Sequence, residues 1–127
     1  MITQIAPQDF DSWLADAQSA ISGSAAPVHS LPVVLDVREP WELQTASLTP
    51  DGFTLLAIPM REIPARLTEL QDSYGVDHPV ACLCHHGMRS QQVANFMAQQ
   101  GGFQAVVNLQ GGIDAWSLQR DSGVPLY

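Results

Sequence analysis

Positive charge is scarce in this chain. Five basic side chains stand against thirteen acidic ones over 127 residues, a formal net charge of -8. That deficit removes the electrostatic attraction on which nucleic-acid and anionic-membrane binding rest, so neither is an expected partner. Cysteine is also scarce: two residues, Cys82 and Cys84, are too few for a disulfide framework. At i and i+2 in a strand they lie near the geometric limit for bridging each other. No apolar run approaches the roughly 20 residues that span a bilayer. The opening MITQIAPQDF lacks the basic and apolar regions of a secretory signal, which leads to the expectation of a cytoplasmic protein. Charged residues make up only 14% of the chain, but hydrophobic residues reach 46%, enough to build a core and to exclude disorder. The length suits one domain over residues 1–127, a monomer or weak dimer.

What is present alternates between two periodicities. Thr3 to Ile5 read as a short strand, and Pro7 introduces a helix with Phe10, Trp13, Leu14 and Ala17 on one face. Residues 19–30 are small and polar and read as a loop. LPVVLDV is a near-continuous apolar run, as in a strand buried on both faces, and Pro40 starts a short helix just beyond it. A turn at Pro50-Asp51-Gly52 leads to a strand over Thr54 to Ile58, followed by an amphipathic helix over 61–71. Pro79 to Leu83 form a third buried strand. The next helix, starting near Ser90 or Gln91, carries Val93, Phe96 and Met97 and stops at Gly101-Gly102. Ala105 to Leu109 make another strand, and Gly111-Gly112 turn the chain into a last helix bearing Ile113 and Trp116.

Strands alternating with helices predict an α/β domain with a largely parallel sheet. Ligands in such sheets sit beyond the carboxyl ends of strands, near helix N-termini. Residues 84–90, Cys-His-His-Gly-Met-Arg-Ser, fall there. Gly87 permits a tight or left-handed backbone, so the loop can turn several N–H groups inward toward an anion. Beside a helix N-terminus, a Cys84 thiol is expected to ionise more readily than usual. Arg89 adds a permanent positive charge suited to oxyanions; His85 and His86 add donors that can become cationic in such a setting, or else shape the loop or stand exposed. Cys82, inside the strand, is expected to be inert core. A zinc site is the competing reading, because Cys-x-Cys-His-His offers four ligand types. A closed site usually draws on two separated clusters, however, and His29 and His78 are isolated in the sequence. No metal and no cofactor are therefore expected.

LDVREPWEL, CHHGMRS and VVNLQGGIDAW, in that order and spacing, resemble the single-domain rhodanese family of sulfurtransferases over about residues 30–120. The resemblance implies a five-stranded, mainly parallel central sheet with helices on both faces. It implies that Cys84 is the nucleophile and carries a sulfane sulfur as a persulfide. His85, His86, Gly87, Met88, Arg89 and Ser90 would form its cradle. Asp36 and Arg38 would make a structural ion pair, and Gly111, Gly112 and Trp116 a packing and turn signature. The implied donor is a small sulfur-containing anion such as thiosulfate, or a protein persulfide; the implied acceptor is cyanide or a thiol. One departure concerns the family's Gly-His-Ile-Pro-Gly-Ala segment, replaced here by Ala46 to Gly52 without a histidine, which implies an altered local turn and partner surface.

Two alternatives remain beside turnover: a persulfide carrier or interaction module, and a cysteine phosphatase on the related fold. Phosphatases of that type space cysteine and arginine as C-x5-R. Cys84 to Arg89 is C-x4-R, and from Cys82 the C-x5-R position is Met88, so loop length favours sulfur.

Overall fold

Among the described residues five short strands form: β1 (Thr3–Ile5), β2 (Val33–Asp36), β3 (Thr54–Ala57), β4 (Val80–Leu83) and β5 (Val106–Leu109). The structure, a computed structural model, describes residues 2–23 and 29–127. The strands lie in one sheet in the order β1-β5-β4-β2-β3, and every neighbouring pair is parallel. Among the described residues five α-helices accompany them: α1 (Phe10–Ser22), α2 (Pro40–Thr45), α3 (Ile63–Tyr74), α4 (Met88–Gln99) and α5 (Gly112–Gln119).

Alternation along the buried strands divides the core into two layers. Val33, Leu35, Val80 and Cys82 face Ile63 and Leu70 of α3 and Val93, Ala94 and Met97 of α4. Val34, Ala81, Leu83 and Leu109 face Phe10 of α1 and Ile113 and Trp116 of α5. The second layer is aromatic: Phe10 meets Trp116 edge-on at 4.9 Å and Phe53 at 5.5 Å.

After β2 the chain moves outward to β3; after β4 it moves the other way to β5. The direction in which strands are added thus reverses between β2 and β4, which places a crevice beyond their carboxyl ends. Asp36 and Leu83 are register partners there.

Strands β3, β4 and β5 are each one residue shorter than the sequence reading, α3 starts at Ile63 instead of residue 61, and other helix boundaries differ as follows. Helix α1 continues to Ser22, because Ile21 remains a core contact at the end of its apolar face; residues 24–28 of the expected loop lie outside the described residues. Helix α3 runs to Tyr74, which packs on the core, and Gly75 at φ 83° stops it. Helix α4 begins at Met88, two residues earlier than the expected Ser90, because left-handed Gly87 turns directly into its first turn. In the departing segment, Ala46 and Leu48 are buried against the aromatic layer.

Candidate functional site

Cys84 is the first residue beyond β4, and it is buried. Its Sγ accepts the Gly87 N–H at 3.0 Å and the Ser90 hydroxyl at 3.2 Å. Gly87 reaches this position at φ 99°, a conformation that L side chains rarely adopt. Asn108 of β5 holds the turn from behind, its amide donating to the Gly87 carbonyl at 3.1 Å. Helix α5 holds the other side: Ile113 N–H donates to the Cys84 carbonyl at 2.9 Å and Asp114 N–H to the His85 carbonyl at 3.1 Å. Gly112 makes that approach possible. A Cβ there would lie 2.4 Å from both carbonyl oxygens. The loop is therefore clamped between the N-termini of α4 and α5, whose first-turn N–H groups have no intrahelical partners.

Arg89 is not turned toward an empty cradle. Its two terminal nitrogens donate to the two carboxylate oxygens of Glu42 in α2, each at 2.7 Å. Glu42 also accepts the Tyr127 hydroxyl at 2.9 Å and the Glu39 N–H at 2.8 Å. The Arg89 guanidinium, more than any other neighbour, holds the Glu42 carboxyl down to about 2, so the pair is fully ionised near neutrality. The expected free positive charge of Arg89 is thus cancelled, because α2 brings a buried carboxylate against it.

Behind this pair lies a second one. Arg38 is fully buried and donates to both oxygens of Asp36 at 2.9 and 2.7 Å, to the Ala46 carbonyl at 2.8 Å and to the Tyr127 hydroxyl at 3.0 Å. Tyr127 joins the two pairs.

The histidines form a stack. The His85 ring lies on Tyr127 at 3.8 Å and on His86 at 3.9 Å. Burial, with His86 second, pushes the His85 imidazole below its ordinary value, which favours its loop-shaping role over a cationic one. His86 and Met88 are exposed at the loop mouth, and His86 Nδ1 lies 3.9 Å from Asp114. Ligand-type atoms of His85, His86 and Asp114 come within 4.8 Å of one another. The two imidazole planes are nearly parallel, so their lone pairs run side by side and do not converge on one ion as placed. His29 and His78, isolated in sequence, both pack on Tyr74.

The profile of the family described as the rhodanese-like domain matches residues 14–119. The chain belongs to the rhodanese-like domain family. It is 31% identical over 126 residues to a sulfurtransferase of Allochromatium vinosum, covering 99% of this chain and 95% of that one. It is also 38% identical over 94 residues to rhodanese-like/PpiC domain-containing protein 12, chloroplastic, of Arabidopsis thaliana; the match takes 74% of this chain but only 30% of that protein's length. A rhodanese-related protein from Thermoplasma volcanium has the same fold, with a TM-score of 0.68 and 27% identity over 98% of this chain and 99% of that chain.

Within this rhodanese-like frame Cys82 sits in the middle of the sheet, paired in register with Leu35 and Asn108. It is wholly buried, and burial pushes its thiol up to about 12, with Cys84 contributing second. Both cysteines are free. Glu42, Asn108, Asp114 and Tyr127 belong to the site without having been singled out from the sequence. Asn108 leaves a signal, a polar residue in the strand VVNL. Glu42 leaves a weaker one, a carboxylate four residues after an arginine that is itself buried. Tyr127 leaves none.

Proposed function

We propose that this chain moves a sulfane sulfur from a donor to a thiophilic acceptor by way of a persulfide on Cys84. The observation that carries the reading is the Sγ of Cys84 at the carboxyl end of the central strand, held by the Gly87 N–H and the Ser90 hydroxyl. In the first step the Cys84 thiolate attacks the outer sulfur of the donor. A Cys84 S–S bond forms, the donor's own S–S bond breaks, and its electron pair leaves with the remainder of the donor. From thiosulfate the leaving group is sulfite; from a persulfide it is a thiolate. In the second step a thiol or cyanide attacks the outer sulfur and Cys84 departs as thiolate.

The loop donors favour this chemistry because they are in place before charge moves, and a terminal persulfide sulfur is an anion of the size such a nest accepts. Sulfurtransferase relatives support the same reaction class. Phosphate chemistry is less well served, since Arg89 is already engaged with both oxygens of Glu42. The 1% exposure of Cys84 favours a second reading, a carrier that shelters its persulfide and yields it only to a docked acceptor. Intact-mass analysis after exposure to a sulfane donor, with cyanide then added, tests both. Turnover requires an adduct on Cys84 that cyanide discharges as thiocyanate; a stable adduct without discharge selects the carrier. Sulfur transfer surviving Cys84→Ala refutes the proposal.

A further inference from the structure

Every arginine of the protein is already paired with a carboxylate. The chain has no lysine, and its five cationic side chains are arginines. Arg38 pairs with Asp36, Arg61 with Glu39, Arg66 with Glu69, Arg89 with Glu42 and Arg120 with Asp11. Exposed pairs of this kind exchange readily with water, but the pair at the site differs. The Arg89–Glu42 contact is bidentate, and the Glu42 side chain is only 4% exposed. Two further donors, Tyr127 and the Glu39 N–H, hold the carboxylate in place. The remaining charge beside the loop is Asp114, at His86. Attraction for an anion at Cys84 therefore comes chiefly from N–H and hydroxyl dipoles, with the charge of Arg89 offset by Glu42, inside a protein of net charge -8.

Resting on the sulfur-transfer reading above, we infer that Glu42 is a specificity-determining residue that cancels the charge of Arg89 and turns the site from the thiosulfate dianion toward thiol persulfides. Charge balance states the difference. Thiosulfate brings two negative charges to the Cys84 thiolate, and both leave with sulfite while Cys84 keeps one on its new outer sulfur. A persulfide reacting in its protonated form, R–S–SH, brings none. Its S–S bond breaks, the electron pair leaves as R–S⁻, and the proton stays on the sulfur transferred to Cys84. Dipoles able to hold one sulfur anion suffice for the second reaction, whereas the first gathers three charges where no free side-chain cation stands.

The test compares loading of Cys84 by thiosulfate and by cysteine persulfide, read as intact mass against time in wild type and Glu42→Gln. Because the two donors differ in intrinsic reactivity, the readout is the ratio of their rates. Freeing Arg89 is expected to raise the thiosulfate-to-persulfide ratio about tenfold, the size of an unscreened charge close to a reacting anion. A ratio unchanged in a folded Glu42→Gln protein overturns the inference. Should that variant not fold, wild type still decides. Thiosulfate loading is expected to speed up as ionic strength rises from about 0.01 to 0.15 M, since salt screens repulsion; slowing over that range signals attraction and overturns the inference. Absence of any Cys84 adduct from either donor refutes the sulfur-transfer reading itself, a different outcome from an unchanged ratio.

Discussion

At the residue scale, two cysteines two positions apart have opposite surroundings. Cys82 has strands on both sides and a helix layer above it, with nothing to stabilise a thiolate. Cys84 has left the ladder and meets an N–H and a hydroxyl at its sulfur. Cys82→Ala is accordingly expected to cost about 1 kcal/mol of stability, the loss of a small buried group, and to leave sulfur loading in place. Denaturant unfolding and donor loading measured on the same variant check this. Glu42 offers a second residue-level prediction. Its carboxyl lies near 2 in the folded protein against an ordinary 4.5, a depressed value. Its contribution is fully present above about pH 4.5 and disappears as pH falls toward about 2. The shift corresponds to about 3 kcal/mol, reduced to about 2 because solvent screens the partly exposed Arg89. Unfolding of wild type and Glu42→Gln should differ by about that amount at pH 7 and converge near pH 2. A gap that stays constant with pH contradicts the ionised pair.

At the scale of elements, the loop is shaped by three pieces: the end of β4, the start of α4 and the start of α5. Gly112 is the tightest joint, with φ 64° and the Cys84 and His85 carbonyls where a Cβ would stand. Gly112→Ala is expected to cost more than about 2 kcal/mol and to impair sulfur loading, because α5 must retreat from the loop. Unaltered stability and loading in that variant would show that the clamp is dispensable. Most of these elements are legible in the sequence. Apolar runs of strand length and helical spacing of Val93, Phe96 and Met97 follow from local burial, which the chain records residue by residue. The boundaries that slipped depend on conformation not written in residue type. Gly87 is visible as a glycine, but its left-handed turn into Met88 is decided by Asn108 and Gly111 behind it.

At the scale of the whole molecule, the site is a meeting of distant segments. Tyr127 bridges Arg38 and Glu42 and lies flat on His85, contacts that span more than 40 positions of sequence. Such pairings carry no periodic signature, so the sequence singles out Cys84 and its loop but not the carboxylate and phenol packed beside them. Tyr127→Phe keeps the stack on His85 and removes the hydroxyl between the two ion pairs. It is expected to lower stability by about 1–2 kcal/mol, since a donor of buried Arg38 loses a partner. Thermal unfolding of the variant against wild type measures it. The net charge of -8 acts at this scale too: it sets a repulsive background against which the dipoles of the cradle must work. The most direct measurement of the central claim is an intact mass and peptide map after exposure to a sulfane donor. One added sulfur, about 32 Da, is predicted on Cys84, absent from Cys84→Ala and retained in Cys82→Ala; an adduct on Cys82, or one that survives Cys84→Ala, would contradict the account.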